Sequence, residues 1–236
     1  MCKPPVVKPL DSLVDAYARW RTSQLGRITD ALEQDLILEL IGTVDGKQVL
    51  DVGCGDGVLS FELARQGAKV TGLDADPTMI AAARKRGEAD RASVRLVEGR
   101  AERLPFADAS YDIVVAVTVL CFVPDAKAAV AEMARVLRPG GRLVVGELGR
   151  WSLWAGIRRL RGWFGSPTWR AATFRSASEL RALVGNSGLV VEAVRGAIFY
   201  PPIGAFAHLF ARVDARLGRL TSFGGAFVAI RGVKAR

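Results

Sequence analysis

Residues 49–57 read VLDVGCGDG, and Asp74 follows seventeen residues later, at the close of a second apolar run. Val49–Val52 predicts a short buried strand. Gly53, Gly55 and Gly57 predict a turn that no side chain crowds, with a helix over Val58–Gln66. Such a turn, at the carboxyl edge of a parallel sheet, brings backbone N–H groups close to a ligand. Lys69–Leu73 predicts the second strand, and a carboxylate at its end can accept hydrogen bonds from both hydroxyls of a ribose. The ligand to expect is a nucleoside. A dinucleotide site would want a third small residue where this chain has Val58, so the spacing turns away from that class.

The rest of residues 45–149 continues the alternation. Asp76 and Pro77 open a helix that ends near Gly87, with proline at its favoured first position. Val94–Val97 and Ile113–Val119 predict strands, the latter an unbroken apolar run as a doubly covered parallel strand requires. Ala126–Leu137 predicts a helix stopped by Arg138, Pro139 and two glycines, and Arg142–Glu147 a fifth strand. Residues 11–41 predict two helices, one carrying Leu13, Tyr17 and Trp20, the other Ile28, Leu32, Leu36 and Leu40. Val190–Tyr200 and Ala226–Val233 add two strands. The fold class is α/β: a doubly wound, mostly parallel seven-stranded sheet with N-terminal helices and a helical cap. Four segments follow: a helical lid (1–44), the nucleoside-binding core (45–149), a cap insertion (150–175) and a closing segment (176–236).

Three further stretches carry a resemblance. Residues 99–112 read GRAERLPFADASYD, residues 119–125 VLCFVPD and residues 136–143 VLRPGGRL. With the G-x-G-x-G turn after Asp51, they resemble the class I S-adenosylmethionine-dependent methyltransferases. The nearest branch is that of the ubiquinone and menaquinone C-methyltransferases and many small-molecule methyltransferases. The resemblance covers residues 45–149 and fades beyond 150. It implies S-adenosylmethionine as cofactor and S-adenosylhomocysteine as product. It places Asp51, Gly53 and Gly55 at the methionine end, Asp74 on the ribose and Ala75 and Met79 against adenine. The Ala101 backbone falls at the adenine edge, Thr118 beside the methionine amine, and Tyr17 in a closing helix or equally in the core. The chain departs from the family at Arg100, where an aspartate usually stands, so adenine N6 needs Glu102 or a water instead.

A second departure is Cys121-Phe122, where relatives carry histidine after the fourth strand; His208, the sole histidine, lies far off. No histidine base is evident. For an acceptor that needs one, Glu147 and, after it, Cys121 are the candidate catalytic residues; a structural role is the alternative for each. No metal site is expected, since Cys2, Cys54 and Cys121 have neither metal-ligand nor disulfide spacing.

Charge is unevenly placed. Residues 1–149 carry a net −2, residues 150–236 a net +11 with only Glu179, Glu192 and Asp214 as acids. Residues 150–170, RWSLWAGIRRLRGWFGSPTWR, hold four of the five tryptophans, five arginines and no acid. Leu153, Ile157, Leu160 and Phe164 form one helical stripe, with Arg158, Arg159 and Arg161 off it; Trp151 and Trp154 are candidate walls of an acceptor pocket. Ser176 or Ser178 caps a helix to Gly185. A further helix repeats Ile203, Phe206, Phe210, Val213, Leu217 and Leu220 on one face and Arg212, Arg216 and Arg219 on another. Both basic segments insert where cap elements do and together would roof the pocket; the alternative is that they simply pack on the core, and the apolar stripes require some packing in either case.

Three classes compete. The first is methyl transfer to a small, apolar or amphipathic acceptor under the cap. The second acts on a lipid or quinone at an anionic membrane surface. The third, a nucleic-acid methyltransferase, has only the arginines in its favour and ranks last; a non-catalytic cofactor-binding protein is also weighed. Cysteine usage, the lack of a signal-like N-terminus and short apolar runs point to a cytoplasmic chain, with peripheral contact at the inner membrane surface in the second case. A monomer or a homodimer fits equally.

Overall fold

The computed structural model describes residues 19–90 and 92–236. Seven strands lie in one sheet: β1 (Gln48–Val52), β2 (Lys69–Asp74), β3 (Val94–Glu98), β4 (Tyr111–Val117), β5 (Leu137–Leu148), β6 (Leu189–Ala197) and β7 (Phe227–Lys234). Their order is β3-β2-β1-β4-β5-β7-β6. Pairing is parallel from β3 through β5, and β7 runs antiparallel to both of its neighbours. The chain fills one side of β1 first and then crosses to β4 on the other. This reversal leaves a crevice outside the carboxyl ends of β1 and β4, where open α/β sheets bind ligands.

Alternation along the strands builds a core on each face. Leu50, Val52, Val114, Ala116 and Leu143 join one cluster, and Val49, Ile113, Val115 and Val144 the other. The first face is covered by α4 (Ala126–Val136) and α7 (Ala177–Gly185), through Val130, Met133, Leu180 and Val184. The second is covered by α1 (Gln24–Ile41) and α2 (Val58–Arg65), through Ile37, Ile41 and Leu63. Caps fix the helix starts. Ser23 Oγ accepts from the Gly26 N–H, Asp76 Oδ1 from Thr78 in α3 (Pro77–Ala89), and Asp125 Oδ1 from Ala128. Ser176, not Ser178, caps α7, in a full capping box with Glu179.

Three element boundaries depart from the sequence expectation. α3 runs on to Ala89. β5 begins at Leu137, paired with Tyr111, and Arg138–Gly141 then bulge out before pairing resumes at Arg142. The break is local because Gly140 takes φ 76°, open to glycine at low cost. β6 ends at Ala197, not Tyr200. Ile198 turns to φ 64°, and the N–H groups of Ile198 and Phe199 donate to Asp214 at 2.8 and 2.9 Å instead of to the sheet.

The largest departure concerns two helices after β5. In α5 (Leu153–Trp163), Leu153, Leu160 and the following Phe164 face outward, and the side that packs inward carries Trp154, Ala155 and Gly162. The Trp154 indole N–H donates to the Tyr200 carbonyl at 2.7 Å. The Arg158 guanidinium, expected away from the core, lies over the rings of Trp154 and Trp169, the latter on α6 (Pro167–Ala171). Gly162 admits α6 so closely that a Cβ there would sit 3.0 Å from the Trp169 backbone. Similarly, α8 (Gly204–Leu220) packs on β6 and α1 through Ala207, Asp214 and Gly218, leaving Phe206, Leu209, Val213 and Leu220 exposed. A Cβ at Gly218 would come within 1.9 Å of the Gly196 carbonyl oxygen. Small residues set the inward face of both helices, because they let backbone and aromatic rings approach where bulkier stripes cannot.

Candidate active site

The turn after β1 is built by its hydrogen bonds. Gly53, Gly55 and Gly57 all have positive φ, at 70°, 55° and 81°. The N–H groups of Gly53 and Cys54 donate to the Leu73 carbonyl, that of Gly55 to Asp74 Oδ2 at 2.8 Å, and that of Gly57 to the Cys54 carbonyl. These four donors are therefore committed within the turn and to β2. The side of Gly55 where a Cβ would stand is open, with no atom within 4 Å, whereas a Cβ at Gly53 would meet Val119 at 2.2 Å.

Asp74 ends β2. Its other oxygen accepts from the Asp76 N–H at 2.9 Å. An ionised carboxylate has about four lone-pair sites, so two remain for ribose hydroxyls. Burial pushes its pKa up, offset by the N–H donors of Asp76 and Gly55. Exposed Ala75 follows, just before the α3 cap at Asp76, and half-buried Met79 lies on the first turn of α3. Asp74 pairs with Glu98, so the loop carrying Ala101 and Glu102 begins beside it. Ala101 is buried, and Glu102 accepts from Arg100 Nη2 at 3.0 Å. Asp51 lies beneath the turn, almost wholly buried, with Ser60 Oγ donating to it at 2.6 Å. Desolvation raises its pKa to about 7.

Thr118 stands across β1 from Asp74, at the end of β4, with φ 52° and its N–H bonded to the Gly146 carbonyl at 2.7 Å. A β-branched residue in this conformation is strained. What holds it is Glu147. Glu147 Oε1 accepts the Leu120 N–H at 2.8 Å, and Arg175 Nη1 donates to the Leu120 carbonyl at 2.8 Å. Glu147 Oε2 is buried without a hydrogen bond, 3.9 Å from Arg175 Nη1. Burial raises the Glu147 carboxyl to about 7, with Arg175 opposing. Cys121 is 1 % exposed, its Sγ 3.4 Å from the Thr118 carbonyl oxygen, and burial drives its thiol pKa well up, away from a reactive thiolate.

Trp151 and Trp154 do not share a wall, since Trp151 is exposed and Trp154 belongs to the core. Tyr17 lies outside the described residues. The site gains partners the sequence reading missed. Asp56, within the glycine turn, is bridged by Arg86 at 2.7 Å and by Arg21, just before α1. Asp30 and Glu33 follow on α1. Glu33 is half-buried, and desolvation raises its carboxyl to about 8, with Arg158 of α5 opposing and Asp30 reinforcing. On the same helix, Thr29 Oγ1 lies 3.1 Å from the Tyr200 hydroxyl. Glu33 was findable in principle, being four residues from both Thr29 and Ile37 on the inward face of α1. A cavity of about 340 Å³ beside Gln48, Arg95 and Tyr111 lies at the opposite end of β1 and has no part in this arrangement.

The cap covers the carboxyl edge through backbone bonds. Thr173 N–H donates to the Cys121 carbonyl at 2.9 Å and Arg175 N–H to that of Leu148 at 3.2 Å. Cys121, Leu148, Ala155 and Phe174 form a small apolar cluster there.

The methyltransferase domain family matches residues 50–145. An uncharacterised protein of Mycobacterium tuberculosis is 34% identical over 218 residues, 92% of this chain and 71% of its own. A ubiquinone biosynthesis O-methyltransferase of Idiomarina loihiensis is 35% identical over 165 residues, 66% of this chain and 67% of its own. Among solved structures, a SAM-dependent methyltransferase of Thermotoga maritima, titled a possible histamine N-methyltransferase, aligns with a TM-score of 0.73 and 27% identity. That alignment covers 95% of this chain and 97% of the other.

Proposed function

The chain belongs to the class I S-adenosylmethionine-dependent methyltransferases, in the branch of the quinone methyltransferases, and we propose that its acceptor is a small apolar or amphipathic molecule. The acceptor enters beside α1, under the cap at the carboxyl ends of β4 and β5. The observation that carries this reading is the cap itself: residues 150–175 are hydrogen-bonded onto that edge and close it with apolar side chains.

S-adenosylmethionine, when bound, supplies a methyl group already activated on a sulfonium. In this reading Asp74 accepts from the ribose hydroxyls, and Gly55 gives room for the methionine end, with Asp51 and Gly53 shaping the turn beneath it. Ala75 and Met79 pack on adenine, the Ala101 backbone and Glu102 meet its edge, and Thr118 orients the amine. The residues' main work is positioning, which supplies roughly 7–11 kcal/mol in well-oriented reactions without any acid or base. Glu147 acts by holding the Thr118–Leu120 turn. Where the acceptor is a hydroxyl, Glu33 is a second candidate proton acceptor at pH above about 8, where its carboxyl is ionised, while Glu147 Oε1 is committed to Leu120.

A second reading takes a quinone or lipid as the acceptor, favoured by the similarity to the ubiquinone biosynthesis enzyme. The test follows methyl label from S-adenosylmethionine into fractions of cell extract. Label in the organic or volatile fraction supports a small apolar or lipidic acceptor, and label in nucleic acid would sink both readings.

A further inference from the structure

The apolar stripe of α5 points directly away from the protein. Leu153, Leu160 and Phe164 recur at 7 and 4 residues on the side opposite Ala155 and Gly162, and Trp163 beside them is 82% exposed. A helix that holds half-buried Arg158 against aromatic rings and leaves its leucines in water is inverted relative to a core-packing helix. The pattern recurs on α8, which starts just beyond the Tyr200 carbonyl that Trp154 grips. There Phe206, Leu209, Val213 and Leu220 share one exposed flank, bordered by Arg212 and Arg216 and by Arg219, which pairs with Glu39 of α1 at 3.1 Å.

Charge says what covers these faces. Around α5 the bordering exposed charges are Arg161 and Arg170, and residues 150–175 contain no acid. The three acids of residues 150–236 are engaged: Glu179 by Arg150, Glu192 by Arg231, and Asp214 buried against two backbone N–H groups. A second copy docking face to face would bring two strongly basic surfaces together, which like-charge repulsion opposes. An anionic bilayer offers both complements at once, apolar chains for Leu160, Trp163 and Phe164, and negative headgroups for the arginines. Among the described residues no helix is long and apolar enough to cross a membrane, so contact would lie in the interface plane.

We propose that the outward face of α5 docks the protein on anionic lipid bilayers, with the exposed flank of α8 a second surface of the same character. The inference goes beyond the acceptor reading and holds for any acceptor. Membrane contact would set the cap, whose inner side closes the carboxyl edge, directly against a lipid source.

The test is flotation of the full chain with phosphatidylcholine vesicles, with and without phosphatidylglycerol, beside the variant Leu160→Asp/Phe164→Asp. Both side chains are exposed, so the variant should fold, which circular dichroism and S-adenosylmethionine affinity check. Expected are binding at least about tenfold tighter to the anionic vesicles, weakening with salt, and about a tenfold loss in the variant at unchanged cofactor affinity. That result supports docking whether or not the acceptor is found. No binding to anionic vesicles, or binding the variant retains, overturns it. So does a dimer that the variant dissolves while neither protein floats, which would assign the face to a second copy.

Discussion

Asp74 binds the glycine turn with one oxygen and the start of α3 with the other, so the carboxylate we propose for the ribose is already fixed in direction. Asp74→Ala should weaken S-adenosylmethionine binding by about 1.5–3 kcal/mol, the range for charge-assisted hydrogen bonds; unchanged affinity by calorimetry would displace the ribose from this residue. The two glycines beside it separate fold from site. Gly53→Ala drives a Cβ into Val119 and should cost stability, whereas Gly55→Ala meets no atom and carries only the left-handed backbone cost of about 1–2 kcal/mol. Gly55→Ala should therefore melt only a few degrees below wild type and above Gly53→Ala, yet bind cofactor at least about tenfold more weakly if, as proposed, its open side receives the methionine end. Wild-type affinity in that variant would turn the open side of Gly55 toward solvent instead.

At the scale of elements, the junction of β6 and α8 hangs on Asp214. Its carboxylate is the acceptor for two N–H groups that leave the sheet, one from Ile198 in left-handed backbone. Asp214→Ala orphans both and should destabilise the fold by about 2–4 kcal/mol, read by denaturant unfolding; a loss below 1 kcal/mol would mean water replaces the carboxylate. The elements also show where sequence reasoning reached. The β1 turn and the starts of α3 and α7 were legible because glycine spacing, Asp76-Pro77 and Ser176 act locally. The direction of α5 was not. Periodicity reports that a helix has an apolar side, and the inward side was decided by what Tyr200 and α6 present to it: a carbonyl for the Trp154 indole and a backbone needing Gly162. Likewise Glu33 reads as an ordinary helical glutamate until α5 brings Arg158 over it.

For the molecule as a whole, protonation and topology set stability. Asp51 and Glu147 have folded pKa values near 7, above their ordinary 3.8 and 4.5, because burial disfavours their charged forms. Between those limits the native chain holds protons that the unfolded chain has released, so stability falls as pH rises through the window. The carboxyls of Glu62, Asp112, Glu132 and Glu179, held low largely by arginine partners and backbone donors, act oppositely but at more acid pH. Calorimetry should therefore find a higher Tm at pH 5.5 than at pH 8; a Tm that climbs across that interval would mean Asp51 and Glu147 are ionised in place.

The position of β7 carries a consequence for how the chain is made. Residues 227–234 emerge after every other strand, yet they occupy an interior place, and β6 has no other partner in the sheet. On the ribosome, then, the nucleoside half can assemble while β5 shows a bare edge and β6 has nothing to pair with. Such an edge is a template for other chains. The interval before residues 227–234 arrive is when a nascent molecule is most open to aggregation or to a chaperone's grip.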